Sequence, residues 1–137
     1  MNRIDFQKIA ELRLGESKAL LAAGFSDGAY YLSGYAVECA LKSCIAQRTR
    51  QHEFPERDAA KYYKHDLQEL LIHAQLKQSL EAAMLTYPRL KKSWNIVKNW
   101  SEEARYEQGR TTQEARDLIE AIEDVQGGIL PWLQQRW

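Results

Sequence analysis

The fold is decided by residues 27–42, which read DGAYYLSGYAVECALK. Small, aromatic and aliphatic residues occupy almost every position of this stretch, and the apolar pattern continues to Ile45. Ser26 and Asp27 are predicted to cap a helix here, because their side-chain oxygens can accept the unpaired N–H groups of a first turn. The pattern predicts a helix over residues 27–47 that is apolar nearly all round. Such a helix lies at the centre of a bundle or at a subunit interface.

Helical periodicity extends outward from this central helix along the rest of the chain. It predicts helices over residues 5–23, 66–72, 76–86 and 111–125, with helical spacing also at Trp94, Val97 and Trp100. Two helices are predicted to begin with capping boxes, Asp66 with Glu69 and Thr111 with Glu114. Pro88 is predicted to end the helix before it. The predicted buried stripes are Leu67, Leu70, Leu71 and Ile72 in one helix and Leu118, Ile119, Ile122 and Val125 in another.

The predicted architecture follows from these helices. The sequence has no strand-like alternation, no internal repeat and no low-complexity segment. A mixed polar stretch over residues 48–64, which contains Pro55, is predicted to be a long loop. We therefore predict an all-α fold in a single domain over residues 1–137, built as an antiparallel up-and-down bundle of five to six helices.

Composition and charge argue against several classes of protein. With 45% hydrophobic residues, the chain can build a core without the help of a disulfide or a metal. Nineteen basic residues balance nineteen acidic ones, which argues against a general coat for DNA or RNA. No stretch reaches the ~20 apolar residues of a membrane span. Residues 1–6 also lack the apolar region of a signal peptide. A cytoplasmic protein without membrane contact is predicted.

The cysteines and histidines indicate neither a disulfide nor a metal site. Cys39 and Cys44 lie on one predicted helix, where five residues turn their side chains about 140° apart. They are predicted to be buried free thiols, as expected in a reducing compartment. His52, His65 and His73 do not have the spacing of metal ligands. No metal and no cofactor are predicted.

Residues 27–42 resemble the signature helix of HEPN domains, in which small and aromatic residues surround a glutamate shortly before a lysine, here Glu38 and Lys42. Residues 64–67 (KHDL) resemble the His-Asp-Leu turn of that family, and residues 104–106 (ARY) resemble its Ala-Arg-Tyr element. The resemblance covers most of the chain in the family's order. It implies a homodimer with a nucleotide- or RNA-related ligand. It also implies a role beside a minimal nucleotidyltransferase in a toxin–antitoxin or stress-defence pair.

The candidate ligand-binding residues are Glu38, Lys42, His65, Arg105 and Tyr106. Glu38 falls on an apolar stripe, where a lone carboxylate is costly, and Lys42 follows four residues later on the same face. Two interpretations of Glu38 stay open: an ion pair that organises the bundle, or one wall of a polar cleft shared with Arg105. Arg105 has two interpretations as well. The resemblance suggests that it contacts phosphate, for which a planar guanidinium is suited. The alternative is a structural link to a carboxylate such as Glu38.

The resemblance also provides a test for ribonuclease activity. HEPN ribonucleases carry an arginine followed, after four to six residues, by a catalytic histidine. Arg48 and His52 have three residues between them, and Arg57 and His65 have seven. Arg105 has no histidine after it. The motif is absent, so no catalytic residue is assigned, and His65 is interpreted as a residue at the start of a helix rather than a catalytic base.

Aromatic residues at helical spacing indicate packing rather than base stacking. The groups are Trp94 with Trp100, and Tyr30, Tyr31 and Tyr35. Gly34, Ala36 and Ala40 would let a neighbouring helix approach closely. The central helix and the tail with Trp132 and Trp137 offer more apolar surface than a small monomer covers, so a homodimer is predicted. Arg89, Lys91, Lys92 and Lys98 form a basic face that is interpreted as solvated.

The sequence therefore leaves three hypotheses for function. The first is a HEPN-type module that binds a nucleotide or a partner protein. The second is a metal-independent endoribonuclease that uses Arg105 with an unusual partner such as His65. The third is a dimeric scaffold without a ligand.

Overall fold

The computed structural model describes the backbone of residues 1–52 and 66–137, and the side chains of residues 1–49 and 66–137. The α-helices are α1 (Arg3–Ala22), α2 (Ser26–His52), α3 (Leu67–His73), α4 (Lys77–Thr86), α5 (Pro88–Val97), α6 (Thr112–Glu123) and α7 (Ile129–Gln134). A 3₁₀ turn, Glu102–Tyr106, lies between α5 and α6. No strand occurs within the described ranges, and the prediction of an all-α fold is confirmed.

The central helix of the bundle is α2, which packs against α1, α3, α6, α7 and the 3₁₀ turn. α1 and α2 form an antiparallel hairpin. At one end, the Ser43 hydroxyl donates to the Arg3 carbonyl at 3.2 Å, and at the other end Leu20 lies against Gly28. The chain's own helices therefore cover the apolar surface of α2. Trp132 and Trp137 are partly buried against the same core. The homodimer stays a prediction, but α2 is not the exposed surface that was expected to form it.

Several helices differ from the sequence-based expectation. α2 continues to His52, past the expected end at residue 47. Its last turns are polar and are held by the Thr49 hydroxyl, which donates to the Ile45 carbonyl at 2.9 Å, and by Arg48, which donates to Gln75. Pro88 not only follows α4 but begins α5, where its missing N–H is unneeded in a first turn. With the short α7, the described ranges contain seven α-helices, where five to six were expected.

Two residues predicted to be buried are exposed instead. Ile72 is 51% exposed because it lies about 100° around α3 from the buried Leu71, on the outer side of the helix. Val125 is 87% exposed because α6 ends at Glu123, so the helical stripe does not extend to it. Periodicity alone does not show where a stripe ends.

The predicted helix starts are found at α3 and α6. The Asp66 carboxylate accepts the N–H groups of Gln68 and Glu69, at 2.9 and 3.3 Å. At α6, the Thr111 hydroxyl accepts the Glu114 N–H at 3.0 Å and the Glu114 carboxylate accepts the Thr111 N–H at 3.3 Å, which completes the expected capping box.

Asp27 binds the segment between α5 and α6 to the start of α2. Asp27, expected as a cap for α2, lies within its first turn and accepts the N–H groups of Gly109 and Arg110, at 3.2 and 2.8 Å. Gly109 has a φ of +90°, which permits this turn at no steric cost. The Arg110 guanidinium lies 3.9 Å from the centre of the Tyr30 ring and pairs with Glu114. These contacts fix the position of the 3₁₀ turn.

Candidate functional site

Glu38 and Lys42 form a sheltered ion pair on α2. The Lys42 Nζ lies 3.1 Å from the Glu38 Oε2, one helical turn away. Only 1% of the Glu38 side chain and 11% of the Lys42 side chain are exposed. Taking two charges out of water costs free energy, which close pairing offsets only in part. The pair is therefore sheltered from water, and neither charged group presents much surface.

Trp100 lies flat on the backbone of α2 next to this pair. A Cβ atom added to Gly34 would come within 2.2 Å of three atoms of the indole ring, so only glycine leaves room for it. Tyr31 stacks on Trp100 with ring centroids 6.0 Å apart, and Tyr35 stacks on Tyr31 at 6.1 Å. We call Trp100, Tyr31 and Tyr35 the aromatic row. Trp100 is buried, whereas Tyr31 and Tyr35 reach the surface.

The 3₁₀ turn places Arg105 beside Tyr31, the middle ring of the aromatic row, and Tyr106 beside Arg105. The Arg105 guanidinium carbon lies 4.9 Å from the centre of the Tyr106 ring, and Tyr106 is 75% exposed. Arg105 also interacts with the side chain of Tyr31. An exposed cation thus lies beside two tyrosine rings, and Asp27 and Arg110 hold the segment that carries it.

Burial raises the pKa of two tyrosines and of one cysteine near this surface. Burial raises the pKa of Tyr31, an effect that Arg105 opposes and Glu38 reinforces. Burial raises the pKa of Tyr35 to about 12, and burial together with Glu38 raises the pKa of Cys39 to about 11. Cys44 is buried too, and its pKa rises to about 12. Neither thiol is an activated nucleophile, since that role requires a thiolate. The surface offers stacking faces and a cation rather than a reactive group.

The structure joins the sequence-predicted site residues in two pairs, Glu38 with Lys42 and Arg105 with Tyr106. The charges of Glu38 and Arg105 act on the pKa of Tyr31 in opposite directions, since Glu38 raises it and Arg105 lowers it. His65 lies outside the described residues, as does the part of the predicted loop over residues 53–64, and the side chain of His52 is also undescribed.

Sequence reasoning did not predict the aromatic row. It interpreted Tyr31, Tyr35 and Trp100 as packing residues; Trp100 is buried, whereas Tyr31 and Tyr35 pack against the core and also reach the surface. The one available signal was Gly34, which was expected to allow the close approach of another helix. It accommodates an indole ring instead.

The other polar features of the described chain do not form a comparable site. No group of three His, Cys, Asp or Glu side chains in residues 1–52 and 66–137 is placed to hold a metal ion. A groove of about 720 Å³ runs between α5 and α6. On its wall Arg89, part of the predicted basic face, pairs with Asp124 at 2.9 Å. Across the same ranges, no helix combines the length and the apolarity needed to cross a bilayer.

Comparison with known proteins gives one match. A family model described as HEPN domain matches residues 5–127, a range that includes α2, the 3₁₀ turn and α6. Searches among curated proteins and among solved structures gave no match.

Proposed function

Because the chain belongs to the HEPN domain family, we propose that it is a nucleotide- or RNA-binding module that uses the surface around Arg105. The observation that supports this most is the exposed Arg105 guanidinium, placed between the Tyr31 side chain and the Tyr106 ring. A guanidinium suits phosphate, and exposed aromatic rings stack on bases with little regard to sequence. Tyr31, Tyr35 and Tyr106 would contact bases while Arg105 contacts the backbone phosphate.

In this proposal the buried ion pair is a support rather than a contact. Glu38 and Lys42 are too sheltered to meet a ligand directly, and they stabilise the face of α2 that carries Tyr31 and Tyr35. A contribution from His65 remains part of the proposal, because residues 64–67 resemble the family's His-Asp-Leu turn.

The proposed biological setting follows from the family. We propose that the chain forms a homodimer in the cytoplasm and works beside a minimal nucleotidyltransferase, in a toxin–antitoxin or stress-defence pair. The neighbouring gene tests the second part directly. A nucleotidyltransferase encoded there supports the pairing, and its absence would count against it.

We expect Arg105→Ala to weaken binding to a short single-stranded RNA by roughly 10- to 100-fold, since a hydrogen bond to a charged group contributes about 1.5–3 kcal/mol. Fluorescence anisotropy with a labelled oligonucleotide measures this. Arg116→Ala is the matched control, because Arg116 is an exposed arginine on the outer side of α6. Raising the salt concentration should weaken RNA binding by the wild type more steeply than RNA binding by Arg105→Ala, because the variant makes one phosphate contact fewer. Equal binding by all three proteins would contradict the proposed surface.

The same RNA serves to separate the alternative functions. We expect it to remain intact with the protein in a metal chelator, because the Arg–His ribonuclease motif is absent. Cleavage that persists through repurification and disappears in Arg105→Ala would favour the endoribonuclease hypothesis. Neither binding nor cleavage would favour the dimeric scaffold.

A further inference from the structure

The segment that carries Arg105 is acidic overall. Residues 101–111 read SEEARYEQGRT and contain three glutamates and two arginines. Two further carboxylates bind the segment, since Asp27 accepts two of its backbone N–H groups and Glu114 pairs with Arg110. A groove that binds an extended nucleic acid is expected to be basic, because it neutralises several phosphates. The surroundings of Arg105 do not have this character.

The geometry of the 3₁₀ turn places a carboxylate beside Arg105. Side chains at positions i and i+3 of a 3₁₀ helix lie nearly one above the other. Within the turn Glu102–Tyr106, Glu102 therefore lies beside Arg105, and Glu103 lies beside Tyr106. The pKa of Arg105 is raised, mainly by Tyr106 and in part by the charge of Glu102, which agrees with this placement. One side of the guanidinium is thus already close to a negative charge.

Two further cations near this surface are each held by carboxylates. The pairs are Arg110 with Glu107 and Glu114, and Lys42 with Glu38. The Arg110 guanidinium also lies on the Tyr30 ring, and the Lys42 side chain is 11% exposed. Among the described residues of this surface, a first phosphate therefore meets the exposed Arg105, whereas a second phosphate next to it meets carboxylates.

We infer that the Arg105 surface binds one nucleotide through a single phosphate, and that Glu102 and Glu103 disfavour further phosphates next to it. This rests on the proposed function and names the ligand class of that site as a nucleoside monophosphate. The base stacks on an exposed tyrosine ring while the phosphate accepts from the guanidinium. The phosphates of a nucleoside triphosphate are joined directly to one another, so they cannot avoid the carboxylates. An RNA strand binds through one nucleotide at a time, with its other phosphates directed away.

Three probes distinguish one phosphate contact from several: AMP, ATP and an oligoadenylate of about ten nucleotides, a length that an extended single-strand site would fill. Binding is measured in a metal chelator, so that ATP keeps its full charge. We expect AMP to bind at least as tightly as ATP. The oligoadenylate should bind at most about tenfold more tightly than AMP, because larger gains require simultaneous contacts. Its affinity should fall with salt with a logarithmic slope of about 0.7, the value for one phosphate contact on a single strand.

Glu103→Lys tests the role of the carboxylates. It places a cation beside Tyr106, where a second phosphate would otherwise meet a negative charge. We expect the affinity for ATP relative to AMP to rise by roughly fivefold, the effect of one charge pair about 4 Å apart in water. Glu81→Lys makes the same change of charge on α4, which packs against α5, and as the matched control it should leave this ratio unchanged. Both glutamates are exposed, so urea denaturation should give the wild-type midpoint for both variants.

The outcomes separate the ligand class from the proposed function. A wild type that binds AMP at least as tightly as ATP, with a ratio that shifts towards ATP in Glu103→Lys, supports the inference. A preference for ATP, or a salt slope that corresponds to several phosphate contacts, would overturn it and leave the proposed RNA-binding surface standing. The same ratio in Glu103→Lys and Glu81→Lys would overturn the role given to the carboxylates. A wild type that binds none of the three probes would overturn both the inference and the proposed function.

Discussion

Gly34→Ala is expected to lower the free energy of unfolding by about 3 kcal/mol, a large effect for the addition of one methyl group. The indole ring of Trp100 occupies the space that the new Cβ would need, with three of its atoms at 2.2 Å. Trp100 is 2% exposed, so it has no free volume into which to retreat. The new methyl group must therefore displace either the indole ring, which then loses buried contacts, or α2 itself. Forced overpacking typically costs about 1–3 kcal/mol, and the loss of a buried tryptophan costs more. Chemical denaturation, followed by tryptophan fluorescence and by circular dichroism, measures the change.

The chain contains its own controls for this substitution. A Cβ at Gly28 would meet only the tip of the Leu20 side chain at 3.2 Å, and a Cβ at Gly15 would meet nothing. Gly15→Ala should raise the stability of the monomer by roughly 0.5–1 kcal/mol, the usual gain for replacing glycine within a helix. The free energy of unfolding of Gly28→Ala should lie between those of Gly34→Ala and Gly15→Ala. Failure to observe this order would show that space around the glycines does not decide the outcome.

A double variant tests the cause directly. In a Trp100→Ala background the space above Gly34 is empty, so adding Gly34→Ala should cost nothing or stabilise the helix. The coupling between the two substitutions should then approach the full cost of Gly34→Ala in the wild type. Additive effects would mean that Trp100 does not lie on Gly34.

The contrast between Glu38 and Trp100 shows which parts of the site were predictable. Glu38 and Lys42 are neighbours in sequence, and helix geometry alone brings residues i and i+4 together, so their pairing could be expected. Trp100 reaches Gly34 across 66 positions of the chain, and α3, α4 and α5 lie between them in sequence. No local pattern predicts that contact. The periodicity of Tyr31, Tyr35 and Trp100 therefore indicated burial for all three, although two of them reach the surface.

The surroundings of Arg105 and Asp27 also depend on long-range contacts that local sequence patterns do not predict. The resemblance identified Arg105 as a candidate, but its exposure depends on how Asp27 binds the backbone of Gly109 and Arg110 more than 80 residues away. A residue that precedes an apolar run is normally interpreted as a cap, and Asp27 has the composition and position of one. It supports the 3₁₀ turn because α2 begins one residue earlier. The sequence alone does not show whether a residue that suits a helix cap forms that cap or binds a distant segment of the chain.

The second large effect is expected at Glu38. We predict that Glu38→Ala lowers the free energy of unfolding by about 3 kcal/mol, since breaking a buried ion pair by removing one partner costs ~3–5 kcal/mol whereas an exposed pair contributes ~0–1. The lower end is expected because the Lys42 side chain is 11% exposed and its long stem can turn the ammonium towards water. The substitution also leaves a cavity against α2's neighbours. Urea denaturation of the purified variant gives the value.

The partner substitution and the double variant distinguish burial of charge from loss of packing. Lys42→Ala should cost less than Glu38→Ala, because the Lys42 side chain is 11% exposed and its long stem can reach solvent. Glu38→Gln with Lys42→Met replaces both charges by neutral groups of similar size and should recover most of the stability, as replacement of whole buried ion pairs often does. If the charges did not matter, this double variant would be no more stable than the single variants. If Glu38→Ala unfolded at the wild-type midpoint, the pair would not hold α2 in place, and the tyrosines that it is proposed to support would lose that basis.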